Sequence, residues 1–175
     1  MFSNPEKNIA QLGIHEGMKV ADFGAGSGFY TKIISQKVGN TGKVYAIEVQ
    51  KEFVEKLESE VKHLGLSNVT CIWGDVERID GTKIASGSID AVIISNVLFQ
   101  TEDKLGIIDE AKRILKRDGK VLLIDWTDTS IMLGFDKSKT ISEKMAEEYF
   151  TKRGFKVVSK IDVSSDHYGI IFKYE

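Results

Sequence analysis

Cysteine is almost absent from this sequence. Cys71 is the only one in 175 residues, which excludes an internal disulfide and any multi-cysteine metal site. Val69, Thr70, Ile72 and Trp73 around it read as a buried strand, so Cys71 is expected to be an inert core thiol. The three histidines, His15, His63 and His167, stand far apart without metal-ligand spacing, so no metal is expected. Proline occurs once, at Pro5, and no repeat, low-complexity tract or proline-rich linker divides the chain. Long apolar runs are missing too. None approaches the roughly 18–20 residues of a membrane span, and residues 1–7 lack a charged-then-apolar leader pattern. A cytoplasmic location is expected, and the Asn68-Val69-Thr70 sequon is then without consequence. Neither charge sign dominates: 24 basic against 26 acidic residues leave a net charge of −2. No global basic field therefore draws nucleic acid or an anionic membrane.

What remains is an ordinary globular composition, 42% hydrophobic and 29% charged, at a length that suits one domain over residues 1–175. Apolar periodicity switches repeatedly between the strand and helix periods. Short apolar runs predict strands at 18–23, 43–48, 68–73, 89–95 and 120–126. Helical stripes predict helices at 29–38, at 51–64 with Phe53, Val54, Leu57, Val61 and Leu64 inward, and from Leu105 to a stop at Arg117-Asp118-Gly119, where glycine takes the left-handed cap. Residues 127–139 are looser. Thr140-Ile141-Ser142-Glu143 has capping-box form before a helix to about 153. Strands at 155–163 and 167–174, joined by Ser164-Ser165-Asp166, predict a closing antiparallel hairpin. The class is α/β: a three-layer sandwich around a seven-stranded, mostly parallel sheet whose last strand is antiparallel.

In such a sheet ligands bind beyond the carboxyl ends of the strands, where strand order reverses. The first strand runs directly into Gly24-Ala25-Gly26-Ser27-Gly28, glycines that allow a sharp turn and close approach of a ligand to the backbone. Twenty residues past Gly28, Glu48 ends the second strand, where a carboxylate can accept hydrogen bonds from both ribose hydroxyls. Together they point to an adenosyl ligand. The third glycine comes one residue too early for the dinucleotide fingerprint, no P-loop pattern occurs, and no Tyr-x-x-x-Lys pair is present.

Residues 20–28, Val-Ala-Asp-Phe-Gly-Ala-Gly-Ser-Gly, resemble motif I of class I S-adenosylmethionine-dependent methyltransferases. Glu48 matches that family's ribose-binding acid, Gly74-Asp75-Val76 its adenine-contacting acid, residues 89–97 its fourth-strand motif, and residues 115–121 the turn before its fifth strand. The closing hairpin fits the family's inserted antiparallel strand. The resemblance covers nearly the whole chain and implies a Rossmann-like methyltransferase fold with S-adenosylmethionine as cofactor. It implies cofactor contacts at Asp22, Gly24, Ala25, Gly26, Gly28, Glu48, Val49, Asp75, Val76 and Asn96.

A sulfonium carries an already activated methyl group, so the protein mainly aligns a nucleophile with it, and a base is optional. His167, at the start of the last strand, is the candidate base. Asp125 is a candidate for orienting an acceptor, and Trp126 for packing on an aromatic one. His15 and His63 read as solvated. The Asn/Asp-Pro-Pro-aromatic motif of base-amino methyltransferases is missing, and one cysteine is too few for an arsenite enzyme. The resemblance is nearest the small-molecule branch that includes quinone biosynthesis, although only residues 1–17 precede the first strand. That leaves the acceptor pocket open, or completed by residues 127–139 or a partner chain. The readings kept open are a small-molecule methyltransferase, one acting on protein or RNA, and a non-catalytic S-adenosylmethionine-binding module.

Overall fold

In the computed structural model, residues 4–127 and 139–175 are described. The segment considered above for completing the acceptor pocket, 127–139, lies almost wholly outside them. Seven strands, β1 (Lys19–Phe23), β2 (Lys43–Glu48), β3 (Val69–Trp73), β4 (Ile89–Ser95), β5 (Leu115–Trp126), β6 (Phe155–Ser164) and β7 (His167–Tyr174), form one sheet in the order β3-β2-β1-β4-β5-β7-β6. Every pair is parallel except the two made by β7. The expected sheet, with its antiparallel last strand, is the one that forms.

Alternation along the strands sorts their side chains onto two faces. Val20, Ile93, Leu122 and Ile124 face α1 (Pro5–Leu12) and α2 (Phe29–Val38), packing with Ile9, Leu12, Ile34 and Val38. Ala21, Phe23, Val92, Ile94, Leu123 and Phe172 form the opposite core with α4 (Lys104–Ile114) and α5 (Glu143–Thr151), through Ile107, Ile108, Ala111, Ala146 and Phe150. The remaining helix, α3 (Lys51–His63), docks by Leu57 against Ala25 and Ala46.

One helix is added and three local expectations are corrected. The lead-in to β1 is a helix, α1: Asn4 accepts from Lys7 N at 3.1 Å, Pro5 stands at its first turn, and left-handed Gly13 closes it. Where a turn before the fifth strand was expected, α4 has already ended at Ile114 and β5 has begun at Leu115, with the left-handed conformation at Asp118 (φ 66°) inside the strand. Gly119 is needed there because a Cβ would lie 2.8 Å from both Leu115 Cδ2 and Lys116 O. The cap of α5 is Ser142, accepting from Met145 N at 3.2 Å, two residues later than a Thr140 capping box. Finally, Cys71 sits on the edge strand β3 and is only half-buried; burial still pushes its thiol up to about 11, which keeps it protonated.

The connection from β3 to β4 contains no helix. It is tied down by the buried carboxylate of Glu110 on α4, which accepts from Asp80 N, Thr82 N and Thr82 Oγ1 and pairs with Arg113 Nε at 2.7 Å. All carboxyl ends of the parallel strands lie at one sheet edge. Because β7 is antiparallel, its first residue, His167, pairs with Trp126 and joins them.

Candidate functional site

The strand order reverses between β1 and β4, and a cavity of about 530 Å³ opens beyond their carboxyl ends. Gly24 and Gly26 form part of its wall; Glu48, Val49, Gln50 and Phe53 form a second part. Asp75, Val76 and Glu77 follow β3, while Asn96, Val97, Gln100 and Thr101 follow β4. That volume lies within the roughly 300–1,000 Å³ of small-molecule and cofactor sites.

The glycines of the first loop answer different needs. Gly26 has φ 52°, and a Cβ there would find nothing closer than Gly24 O at 3.9 Å, so its face is open to the cavity. At Gly24 and Gly28 the demand is close packing: a Cβ would lie 2.4 Å from Val97 Cγ2 and 2.3 Å from Leu57 Cδ1 respectively. Glu48 fastens the loop to β2. Its Oε2 accepts from Gly26 N at 3.1 Å and its Oε1 from Gln50 N at 2.9 Å, and it is only 8% exposed. A carboxylate has about four lone-pair sites, so both oxygens keep acceptor capacity for a ligand.

Asp75 is held similarly, accepting from Glu77 N at 3.0 Å and pairing with Arg78 Nε at 3.0 Å. Opposite, Asn96 has the left-handed φ of 57°, which asparagine tolerates better than most residues. Its N donates to Ile124 O and its carbonyl accepts from Gln100 Nε2, which fixes the segment. The side-chain Oδ1 is buried and has no hydrogen-bond partner. An unsatisfied buried acceptor costs roughly 1–3 kcal/mol.

The family described as a methyltransferase domain matches residues 14–172. The chain belongs to this methyltransferase-domain family. It is 27% identical over 130 residues to a demethylmenaquinone methyltransferase of Geobacillus sp. (strain WCH70), covering 74% of this chain and 54% of that protein. To the arsenite methyltransferase of Homo sapiens it is 33% identical over 116 residues, 63% of this chain and 31% of that one. The chain spans about a third to a half of the length of the curated relatives it matches. A solved SAM dependent methyltransferase from Aquifex aeolicus superposes with a TM-score of 0.90 at 29% identity, covering 99% of this chain and 91% of that structure.

Of the expected cofactor contacts in this methyltransferase domain, Gly24, Gly26, Glu48, Val49, Asp75, Val76 and Asn96 line the cavity; Asp22, Ala25 and Gly28 do not. Asp22 is buried beneath the loop and accepts from Thr31 Oγ1 at 2.6 Å, clamping the end of β1 to the first turn of α2. Burial, against the pull of the Thr31 hydrogen bonds, pushes its carboxyl up to about 6. Ala25 packs against Ala46 and Leu57, and Gly28 caps α2.

The two catalytic candidates reach the right sheet edge without lining this cavity. Asp125 is buried, and its carboxylate accepts from Phe99 N at 3.1 Å and Trp126 N at 2.8 Å. Burial pushes it up to about 6 as well. With Lys104, whose ammonium donates to Leu98 O and Thr101 O, it holds the segment from Asn96 to Thr101 in place. His167 rests on Trp126, farther along the sheet.

Nothing in the sequence marks Gln50, Phe53, Glu77, Gln100 and Thr101 as cavity residues. Phe53 was assigned to the inward stripe of its helix, yet α3 buries only Val54 and Leu57, and Phe53 is 37% exposed at the cavity. The polar residues had no spacing signal, because the loops that carry them are set by tertiary contacts.

Proposed function

We propose that this chain, as one methyltransferase domain, binds S-adenosylmethionine in the cavity at the β1–β4 switch point and transfers its methyl group to a small-molecule acceptor by in-line displacement. The observation that carries the reading is one cavity at the strand-order reversal, walled by the open backbone of Gly26 and by the Glu48 carboxylate, which keeps acceptor capacity. Glu48 accepts from the ribose hydroxyls, and Asp75 with Val76 takes the adenine edge. The open backbone at Gly26 and the Asn96 carbonyl take the methionine part. When bound, the cofactor supplies a methyl group already activated by its sulfonium. The chain's task is to hold an acceptor in line with it, and alignment alone is worth about 7–11 kcal/mol.

Small acceptors are favoured by the names of the relatives. An arsenite acceptor is disfavoured because Cys71, the chain's one thiol, sits on the edge strand away from the cavity. Among the described residues no helix is long and apolar enough to cross a membrane, which accords with a cytoplasmic enzyme.

Isothermal calorimetry tests the cofactor assignment. S-adenosylmethionine and S-adenosylhomocysteine should bind at one site per chain, with no heat from NAD. Tight NAD binding with no response to the other two overturns the reading. Glu48→Ala should weaken both sulfur ligands by about 10–100-fold, from the roughly 1.5–3 kcal/mol of hydrogen bonds to a charged group; unchanged affinity removes the ribose assignment.

A further inference from the structure

The sheet has two outer strands, and they are protected very differently. β6 carries Lys156, Lys160 and Asp162, and its register against β7 shifts between Val157 and Ser159 and again between Ile161 and Ser164. Charges and bulges of that kind keep an edge from pairing with another strand. β3, at the opposite edge, reads Val-Thr-Cys-Ile-Trp, with no charge, no proline and an unbroken register against β2. Its backbone groups can be followed one by one. Asn68 O accepts from Val44 N and Gly74 N donates to Glu48 O, so the even-numbered residues turn toward β2. Alternation turns Val69, Cys71 and Trp73 outward. Of their groups, Val69 N already donates to Leu66 O, and Trp73 O accepts from Lys83 Nζ at 2.7 Å. Among the described residues that leaves Val69 O, both backbone groups of Cys71, and Trp73 N facing an open edge. Beside this edge a groove of about 420 Å³ is lined by Val69 and Cys71 and by Glu58, Val61 and Lys62 of α3. Glu58 and Lys62 are exposed there.

We propose that β3 pairs antiparallel with β3 of a second copy of this chain, about a two-fold axis through Cys71. The free groups are self-complementary in this register. Cys71 N donates to the partner's Cys71 O and the reverse, as in any hydrogen-bonded antiparallel pair. Trp73 N of each chain donates to the partner's Val69 O. The groups already taken, Val69 N and Trp73 O, meet across the axis, where neither needs the other. A shift by one such pair in either direction leaves half of the free groups unmatched. Directly opposed residues share a sheet face, so Val69 lies against the partner's Trp73, a ring 55% exposed in one chain, and Thr70 against the partner's Ile72. An axis perpendicular to the sheet keeps both α3 helices on one side and runs them antiparallel. Glu58 of each chain then stands toward the partner's Lys62, opposite charges matched twice by symmetry. Such an isologous contact consumes the β3 edge, and the protected β6 edge stops further strand addition, so assembly closes at two chains.

The test needs no cofactor, so its outcome is independent of the methyltransferase reading. Sedimentation velocity of the full chain at high micromolar concentration should show a species of twice the chain mass. A short bismaleimide should join two chains, because Cys71 is the only thiol and the axis sets it against its own copy. Cys71→Pro removes the donor at the axis and spares the β2 ladder, which uses the even-numbered residues. Proline is admitted on an edge strand where its nitrogen faces outward. This variant should be folded by circular dichroism and monomeric. Glu58→Lys should weaken the dimer by roughly 3–30-fold, since it turns two surface pairs from attraction to repulsion, and adding Lys62→Glu should restore it. A monomeric unmodified chain overturns the proposal and leaves the edge to a strand of another protein. A dimer that bismaleimide cannot join, or that folded Cys71→Pro retains, overturns it as well. Should Cys71→Pro fail to fold, the charge exchange decides: loss and restoration support the pairing, and a dimer unchanged by Glu58→Lys overturns it.

Discussion

Two aspartates end strands next to the cavity, and both serve the framework more directly than the ligand. Asp22 and Asp125 are each buried and each pushed up to about 6, mainly by burial. The consequence for stability has a definite sign. A carboxyl group of raised pKa holds its proton in the native chain across pH 3.8 to 6, where the unfolded chain releases it. Its contribution to stability is therefore full below that window, falls as pH rises through it, and stays low above. At about 1.4 kcal/mol per unit, the loss is on the order of 3 kcal/mol for a group as buried as Asp22. Asp22→Asn carries no such charge, so its stability relative to the wild type should improve between pH 4 and pH 7. Urea midpoints of the two proteins at both pH values measure this; an identical difference at both rules out burial as the dominant influence on Asp22. Glu48 is readable in the sequence because it ends the second strand twenty residues past the glycine loop. Asp22 looked equally suited to a ligand, since only the fold shows that Thr31 has taken its carboxylate.

The link between β3 and β4 is the element whose behaviour least follows from pattern. No element is assigned between residues 74 and 88 from the sequence, and the chain wraps a loop there around Glu110. That loop carries Asp75 and Glu77 to the cavity, and Glu77 also accepts from Asp103 N at the start of α4. Glu110→Ala would leave the Arg113 guanidinium, only 15% exposed, without its buried partner, together with the amides of Asp80 and Thr82. A loss of about 3–5 kcal/mol is expected, measured by chemical unfolding; a loss under 1 kcal/mol would show that the loop is anchored elsewhere. The helix α1 is the opposite case. Its signals, Asn4, Pro5 and Gly13 around an Ile9–Leu12 stripe, were all present in the sequence. Only its shortness let it pass as a lead-in.

At the scale of the whole chain, the candidate site is built largely from loops at one sheet edge, so a ligand that bridges those loops should stabilise the whole fold. S-adenosylhomocysteine at about 100 times its Kd should add about 2.7 kcal/mol. For a chain of this length that corresponds to a rise in Tm of roughly 5–10 °C. Scanning calorimetry with and without the ligand measures it, with NAD as the inert control; equal rises with both would count against a cavity selective for the sulfur ligand.

The mostly parallel sheet with its antiparallel last strand and the glycine loop are legible in the sequence, because hydrophobic period and glycine placement act locally; the strand order comes from the fold. Glu48 and Asp75 belong to the same class, being tied to strand ends. The tertiary structure alone decided which face of each side chain is used. It turned Asp22 and Asp125 into clamps, brought Gln100 and Thr101 to the cavity, and set His167 on Trp126 across two strands. Those outcomes depend on contacts between residues far apart in the chain, and no local spacing encodes them.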